Sequence, residues 1–382
     1  MPAHPSLSHP APRPRLAAPI LALLAGLALA GCAHTEGALG YYWQSVQGHA
    51  RLLQAARPLD EWIANESTPA PLRARLQLAQ RARHFAVQEL GLPDNASYRS
   101  YADLGRSAAV WNVVAAPPYA LELHRWCFPF TGCIGYRGYF QEADAQAEGA
   151  RLAAQGLEVD VYGVPAYSTL GYLDWAGGDP LLNTFIGWPE GEFVRLLFHE
   201  LAHQVVYAQG DTLFNESFAT AVERLGTERW LATQARPEVR QAFAASEERR
   251  QSFRALTRAT RARLAEIYEQ NKAPAHDSQA LNAMKSVAMQ DFRARYAVLR
   301  ERWLAQGARV EGYDRWVAQA NNASFAAQAA YDAWVPAFEA LFAQQGQRWD
   351  AFYDAVRHLA ALPQDERHAR LQALLPPPHQ GD

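Results

Sequence analysis

The stretch that decides the fold runs from Gly191 to Tyr207 and reads Gly-Glu-Phe-Val-Arg-Leu-Leu-Phe-His-Glu-Leu-Ala-His-Gln-Val-Val-Tyr. Its apolar residues recur at helical spacing and Gly210 follows, so the pattern predicts a buried α-helix that ends before that glycine. His199 and His203 are four residues apart and therefore share one face of this helix. Because polar groups are costly to bury without a partner, this pair indicates that a metal ion lies between the two imidazoles.

Residues 199–203 of this helix form the pattern H-E-x-x-H, which supplies two zinc ligands and a base. Zinc in a hydrolase takes a third protein ligand and keeps one position open for water. A second helix is expected to begin near Asn215, and a carboxylate at its start can reach back to the ion, so we expect Glu216 to be the third ligand. Glu200 lies on the adjoining helical face, where it can take a proton from the water. The sequence predicts one zinc ion per chain.

Three other polar residues of the second helix are candidates for supporting the ligands. Glu223 and Thr220 share a helical face with Glu216, and either can accept a hydrogen bond from a ligand imidazole and fix its tautomer. An exposed ion pair is the alternative role for Glu223. Asn215 is expected to cap the second helix rather than to contact substrate.

The region from residue 98 to 175 differs from its flanks because short segments rich in β-branched and aromatic residues alternate with turn residues. One of them, Leu157 to Val164, alternates apolar and polar residues with a period of two. This pattern predicts a small, mainly antiparallel sheet of three to five strands. Helices are expected before and after this region, with long charged helices at residues 241–270 and 283–306. The prediction is an α+β fold that is predominantly α-helical.

Composition and charge narrow the class of partner. The chain has 382 residues, of which 49% are hydrophobic, and a formal net charge of −3. A sizeable core is therefore possible, and without a concentrated cationic surface nucleic acid is not expected as a partner. The arginines between residues 249 and 305 are interleaved with Glu and Asp, and we expect them to form helical faces with ion pairs. The chain has no phosphate-binding glycine loop and no G-x-S-x-G segment.

The N-terminus has the order of an export signal. Arg13 and Arg15 precede an apolar run, Leu16 to Ala30, that is too short to span a membrane comfortably. The run ends in Leu-Ala-Gly-Cys, which resembles the lipobox of bacterial lipoproteins and implies cleavage before Cys32 and lipidation of that cysteine. By resemblance to Gram-negative sorting rules, Ala33 implies the outer membrane. A periplasm-facing protein anchored through Cys32 is expected, and an uncleaved signal anchor is the alternative.

Two cysteines remain after Cys32, in the segment Cys127-Phe-Pro-Phe-Thr-Gly-Cys133. An exported protein meets an oxidising compartment, which favours a disulfide that closes this short loop. Pro129 and Gly132 suit the tight turn that such a loop needs. Zinc binding is the alternative, although no second Cys pair and no His at ligand spacing lies nearby.

The H-E-x-x-H segment followed by Asn-Glu resembles the gluzincin metallopeptidases. The segment Phe214 to Ala219, Phe-Asn-Glu-Ser-Phe-Ala, is similar to the L-N-E-G-F-A signature of aminopeptidase-N-like enzymes. The two segments are closer together than in that family. The G-x-M-E-N segment, with which those enzymes bind a substrate's free amine, is absent from the chain.

A closer resemblance is to a family of proteobacterial lipoproteins described as aminopeptidases. It rests on the lipobox, on Gly40 to His49, on Cys127 to Phe140 and on the H-E-L-A-H-Q helix, and covers essentially the whole mature chain. The resemblance implies a zincin-like fold. The expected organisation is a signal peptide at 1–31, a catalytic region at 32–235, a C-terminal helical region at 236–374 and a disordered tail at 375–382.

A zincin also needs a strand that aligns the substrate and a group that stabilises the oxyanion. In zincins generally the strand before the zinc helix pairs with the substrate backbone, and by resemblance this role falls to Val159 to Val164. We assign the oxyanion phenol to Tyr167, in the segment that follows this strand. The other candidates for this role are Tyr162, Tyr172, Tyr331 and His276.

The function that these predictions support is zinc-dependent hydrolysis of peptides in the periplasm. The resemblance implies an aminopeptidase, whereas the missing G-x-M-E-N segment favours an endopeptidase that processes envelope proteins. A non-catalytic lipoprotein scaffold with a structural zinc is the alternative from another class. Glu200 argues against the scaffold, because a structural zinc site has no need of a base.

Overall fold

The computed structural model describes residues 40–128, 132–169, 177–270, 278–330 and 333–375. The chain divides into two units after His49, and the described part of the first unit, residues 40–49, is helical. Everything below concerns the second unit. Several predictions lie outside the described residues: the signal peptide and Cys32, the candidates Tyr172, His276 and Tyr331, and the tail beyond residue 375.

The second unit begins with helical residues 50–55 and is mostly helical. Its helices are α1 (Leu59–Ala64), α2 (Ala70–Leu90), α3 (Glu142–Ala153), α4 (Asn183–Ile186), α5 (Glu190–Ala202), α6 (Thr212–Thr233), α7 (Pro237–Gln270), α8 (Ser278–Ala305), α9 (Glu311–Gln319), α10 (Asn322–Ala330), α11 (Val335–Gln344), α12 (Trp349–Ala361) and α13 (Gln364–Leu374). The prediction of an α+β fold dominated by helices is confirmed. Within the described residues, no helix is both long and apolar enough to cross a membrane.

The strands are short and form three small sheets rather than one. They are β1 (Arg57–Pro58), β2 (Ser100–Ala102), β3 (Val110–Ala116), β4 (Trp126–Phe128), β5 (Gly132–Ile134), β6 (Arg137–Tyr139), β7 (Glu158–Val164) and β8 (Leu181–Leu182). The sheets have the orders β1-β2-β8, β6-β3-β7 and β4-β5. All pairs are antiparallel except β2 with β8. The predicted antiparallel sheet corresponds to β6-β3-β7, in which β7 lies at one edge.

The two faces of the β6-β3-β7 sheet contact different helices. Asn112 pairs with Tyr162 across β3 and β7, so both side chains lie on one face, together with Val114 two residues along. Val114 packs with Ala323 of α10 on this face. On the opposite face, Gly149 of α3 approaches Val161 so closely that an added Cβ would lie 3.0 Å from it. The face of Asn112 and Tyr162 is therefore the one turned toward α10.

The helix α5 is held in the main core by aromatic packing. Phe198 stacks on Phe85 of α2, with ring centroids 6.0 Å apart, and Phe85 meets Trp230 of α6 edge-on at 5.1 Å. At Gly226 of α6 an added Cβ would lie 2.7 Å from a methyl group of Leu90, so the glycine allows α2, α5 and α6 to pack closely. Burial of these rings fixes the rotation of α5 and directs its polar stripe toward α6.

The helices α7, α8 and α9 have a core of their own, whereas α11, α12 and α13 contribute to the main core. Phe253 of α7 packs against Tyr296 of α8 and Trp316 of α9, and these rings lie in one cluster with Phe292 and Trp303. The two long helices predicted from the sequence are present as α7 with 34 residues and α8 with 28. Their apolar stripes face each other, which explains why sequences so rich in charge remain helical.

Candidate metal centre

The packing of α5 against α6 brings three polar side chains to one point. His199 and His203 face each other with their Nε2 atoms 3.1 Å apart. The Oε2 atom of Glu216, from the first turns of α6, lies 3.4 Å from the Nε2 atom of His199 and 3.6 Å from that of His203. All three residues are buried, and they are the group of side chains in the described residues that could hold a metal ion.

The spacing of these three atoms suits a small tetrahedral ion. With metal–ligand bonds of about 2.0–2.1 Å, neighbouring ligand atoms around a tetrahedral zinc lie about 3.3 Å apart. The three separations, between 3.1 and 3.6 Å, bracket this value. Two imidazoles and one carboxylate are also the ligand set of catalytic zinc sites that keep a fourth position open. The chain's own donors therefore fit zinc.

Glu223 holds the orientation of the His199 ring. Its Oε2 atom lies 2.9 Å from the Nδ1 atom of His199, so the imidazole can donate a proton to it and turn the Nε2 lone pair toward the ion. Arg195 lies 3.6 Å from the other oxygen of the carboxylate. Burial alone would raise the pKa of Glu223, but Arg195 and His199 outweigh burial and lower that pKa to about 2.

Glu216 and Glu223, the two carboxylates beside the His199 imidazole, are both ionised at neutral pH. Burial would also raise the pKa of Glu216, yet the two histidines lower it to about 2. Burial tends to lower the pKa of His199, whereas Glu216 and Glu223 raise it well above its ordinary value. A site that concentrates negative charge around two imidazoles in this way is electrostatically prepared for a cation.

Glu200 lies on the neighbouring face of α5 and behaves differently. Its side chain is partly exposed, and burial raises the pKa of its carboxyl, with His199 and His203 opposing the rise. The raised pKa of this carboxyl, beside the candidate metal centre, eases its uptake of a proton. Glu200 thus lies apart from the three candidate ligands, and its role as the base stays a prediction.

The prediction that Asn215 caps α6 is wrong. The helix begins at Thr212, and its N-cap is Asp211, whose Oδ1 atom accepts a hydrogen bond from the backbone of Phe214 at 3.1 Å. Asn215 instead bridges the backbone of Ala208, accepting from its N–H and donating to its carbonyl, each at 2.8 Å. It thereby ties the connection after His203 to the turn of α6 that carries Glu216.

Asp211 is itself held from the C-terminal end of the chain. Its Oδ2 atom accepts a hydrogen bond from Arg367 at 2.6 Å and lies 2.9 Å from the Nε2 atom of His368, both in α13. Arg367 is buried and also donates to the carbonyls of Leu359, Ala360 and Leu362. The start of α6 is therefore fixed by a helix more than 150 residues away in sequence.

A disulfide-closed hairpin packs on the same connection. Cys127 and Cys133 form the predicted disulfide between β4 and β5. Arg125 donates to the carbonyls of Cys133 and Gly210, at 2.8 and 3.1 Å. At Gly132, which has a φ of 75°, an added Cβ would lie 2.8 Å from the backbone nitrogen of Gly210. The loop that joins the ligand helices is thus braced by the hairpin.

Tyr136, which the sequence analysis did not single out, is a phenol coupled to the centre. With Tyr162 it packs, partly buried, against Val114 and Ala323 on the α10 side of the sheet. Burial raises the pKa of the Tyr136 phenol well above its ordinary value, and the charges of Glu216 and Glu200 raise it further. The phenol is therefore within electrostatic reach of both the third ligand and the base.

The other predicted phenols and supporting residues are placed as follows. The ring of Tyr167 packs on Phe140, with centroids 5.0 Å apart. Tyr162 hydrogen-bonds Asn112, and burial raises the pKa of its phenol to about 12. Thr220 is buried on α6, and its contact with a ligand imidazole stays a prediction. The sequence could have indicated Tyr136, because this tyrosine lies three residues after Cys133 in a segment with a strand-like pattern.

One more buried carboxyl, that of Asp179, interacts electrostatically with Glu200 and was not predicted from the sequence. Asp179 is fully buried, and its Oδ2 atom accepts a hydrogen bond from the backbone of Thr169 at 2.9 Å. Its backbone carbonyl accepts from the backbone of Tyr98 at 2.6 Å. Burial, supplemented by the charge of Glu200, raises the pKa of Asp179 to about 6. The carboxyl groups of Asp179 and Glu200, both with raised pKa values, are therefore close enough to interact electrostatically.

Comparison with known proteins identifies the family. Neither a curated protein nor a solved structure matches the chain. A family model described as "Putative aminopeptidase" matches residues 40–371, a range that includes the three candidate ligands, Glu200, Glu223 and the disulfide. The name of that family suggests peptide hydrolysis. With most of its length matched, the chain belongs to this family.

Proposed function

We propose that the protein is a zinc-dependent peptidase with a zincin-like fold, and that it acts as an aminopeptidase, as its family name suggests. His199, His203 and Glu216 would hold one zinc ion, and Glu200 would be the general base. The observation that carries the proposal is the convergence of three buried ligand atoms, 3.1–3.6 Å apart, at the spacing that a tetrahedral zinc requires.

Zinc bound at this point would polarise a peptide carbonyl and make an attacking water more acidic. Glu200 accepts the proton from the water and passes it to the leaving amine, a task for which its raised pKa is suited. Glu223 keeps the His199 ring in one orientation throughout, since its carboxylate remains ionised.

The sheet beside the centre offers a place for the substrate. β7 lies at an edge of its sheet within the described residues, so an extended peptide can add to it as a further strand. Tyr136, on the α10 side of this sheet, is our candidate for stabilising a developing oxyanion, because its phenol interacts electrostatically with Glu216 and Glu200. Tyr167 remains the alternative for this role.

The cellular setting is also part of the proposal. The lipobox at Cys32 and the export signal before it support a protein anchored to the outer membrane and facing the periplasm. Its substrates would then be periplasmic peptides or envelope proteins. Preference for a free amino terminus is supported by the family name, and cleavage within a chain is the alternative.

The test combines metal analysis with substitution of the base and of one ligand. We expect the purified mature chain to contain one zinc ion, His203→Ala to lose it, and Glu200→Gln to keep it while kcat falls about 10²- to 10⁴-fold. Glu238→Gln, an exposed isosteric change, is the matched control. Full activity of Glu200→Gln on an accepted peptide would overturn the proposal.

A second comparison separates the two kinds of peptidase. A chromogenic peptide with a free amine is compared with the same peptide after N-acetylation. An aminopeptidase should lose most of its kcat/KM on the blocked peptide, because the charged amine no longer contributes to binding. Equal rates on the two peptides would favour the endopeptidase.

A further inference from the structure

One face of α5 carries more than the two imidazoles. Glu192 and Arg195 precede His199 by seven and four residues, so all three side chains lie along the same helical stripe. Arg195 lies 3.5 Å from Glu192 and 3.6 Å from Glu223, which in turn contacts His199. Arg195 is therefore shared between two carboxylates, one of which orients a metal ligand.

The far end of this stripe meets α7. The Nη2 atom of Arg250 lies 2.6 Å from both carboxylate oxygens of Glu192, and Ser246 donates a further hydrogen bond to Glu192 at 2.7 Å. The side chains of Arg250 and Glu192 are only 15% and 16% exposed. The sequence predicts ion pairs along the helical faces of this stretch, and Arg250 forms one with Glu247 of the same helix and a second one with Glu192 of α5.

The close contact between α5 and α7 limits the groups with which Arg250 can pair. At Gly191 an added Cβ would lie 2.4 Å from the ring of Phe243, one helical turn before Ser246. The guanidinium of Arg250 in turn lies 5.9 Å from the centre of the same ring. The glycine allows the helices to approach closely, and this approach sets Arg250 against Glu192 rather than against solvent.

We propose that Arg250 is a positioning residue of the metal centre, and that it acts through Glu192, Arg195 and Glu223 on His199. The guanidinium of Arg250 pairs with the carboxylate of Glu192. Without this pair, Glu192 would compete with Glu223 for the guanidinium of Arg195. When Arg195 stays with Glu223, the carboxylate is held in place and the imidazole stays aimed at the ion. The inference rests on the proposed zinc site and makes the C-terminal helical region a part of it.

The experiment measures the zinc affinity of the full mature chain by competition with a chromophoric chelator, and so does not depend on activity. Arg250→Gln should weaken zinc binding about tenfold, within the roughly 2- to 30-fold range of couplings through such networks. Glu223→Gln serves as the reference for direct loss of the imidazole's partner, about 10- to 100-fold. Arg263→Gln is the matched control on the same helix, since that arginine is exposed and pairs with Glu266.

The double variant Glu192→Gln with Arg250→Gln distinguishes positioning from packing. If Glu192 weakens the site by drawing Arg195 away, its neutralisation should restore most of the affinity that Arg250→Gln loses. A packing defect would instead make the double variant as weak as the single variant or weaker, and this result overturns the inference. Thermal unfolding of the metal-free proteins shows whether each variant is folded.

The outcomes also separate this inference from the proposed function. Wild-type protein that binds no zinc would refute the proposed function itself. Zinc binding that is lost in Glu223→Gln but unchanged in Arg250→Gln would leave the zinc site standing and refute only the role of Arg250.

Discussion

Asp179 is the buried carboxyl whose replacement has the clearest consequence for stability. Its Oδ1 atom is buried and has no hydrogen-bond partner within the described residues, whereas Oδ2 accepts from Thr169. Asp179→Asn keeps the size of the side chain and an oxygen for the Thr169 N–H. It removes the negative charge that burial and Glu200 make costly.

The magnitude follows from the pKa. Burial raises the pKa of Asp179 from 3.8 to about 6, and since one pKa unit is worth about 1.4 kcal/mol, ionisation costs the folded state about 3 kcal/mol. Below pH 3.8 the carboxyl is protonated in both the folded and the unfolded chain, so no stability is lost. As the pH rises toward 6 the unfolded chain ionises first, and the wild type loses stability until the folded carboxyl also ionises.

The amide introduced by Asp179→Asn cannot ionise, so the variant escapes this loss. We expect its free energy of unfolding, relative to wild type, to rise by about 2.5 kcal/mol between about pH 4 and pH 7.5, since a small part of the loss is already present at the lower pH. Urea unfolding at the two pH values, followed by tryptophan fluorescence, measures the change. Any cost of the new amide group is independent of pH and cancels in this comparison.

The control is Asp291→Asn, which removes an exposed carboxylate of α8 that pairs with Arg295. The free energy of unfolding of Asp291→Asn relative to wild type should change little between the two pH values, because solvent screens a surface pair. The reasoning is refuted if the difference in unfolding free energy between Asp179→Asn and wild type is the same at both pH values. The carboxyl would then ionise in the folded chain as easily as in the unfolded one.

Three further substitutions test separate parts of the structure. Arg367→Met should lower the free energy of unfolding by about 3–5 kcal/mol, because it takes the guanidinium away from the buried Asp211 and leaves only the imidazole of His368 beside that carboxylate. Urea unfolding beside the exposed control Arg370→Met measures the loss. A loss no larger than that of the control counts against the role of Arg367. Gly132→Ala should lower the free energy of unfolding by about 1–3 kcal/mol, because the new Cβ meets a positive φ and a close contact with the backbone of Gly210. Thermal unfolding measures this, and an unchanged midpoint would contradict it. Tyr136→Phe should lower kcat about 10²-fold and leave the zinc affinity unchanged. If Tyr167→Phe shows this loss of kcat and Tyr136→Phe does not, the oxyanion role belongs to Tyr167.

The local parts of the site could be predicted from the sequence. His199 and His203 follow from the four-residue period of a helix, and Glu223 follows from its seven-residue distance to Glu216 on the same helix. The Cys127–Cys133 disulfide is also local, since only six positions separate the two residues. In each case the geometry is set by one element or one short loop.

The parts that depend on packing between elements could not. Arg250 meets Glu192 across 58 positions, and only the close approach of α5 and α7 shows that the arginine is buried. Tyr136 lies between β5 and β6, and the sequence could not show that α10 packs on its side of the sheet. The cap of α6 was missed for a simpler reason: Asp211 lies four residues before Asn215, and the helix begins nearly a full turn earlier than expected.

The carboxyl groups of the site fall into two classes, and the difference suggests a role for each. Glu216 and Glu223 face cations or imidazoles, which lower their pKa values to about 2, so they remain charged and can hold a metal ion and its ligand. Glu200 and Asp179 have raised pKa values because burial outweighs their favourable partners. A raised pKa eases the uptake of a proton, whereas a carboxylate with a lowered pKa stays charged. A structural zinc site has no need of a base, so the raised pKa of Glu200 beside the three candidate ligands supports the role of general base that we propose for it.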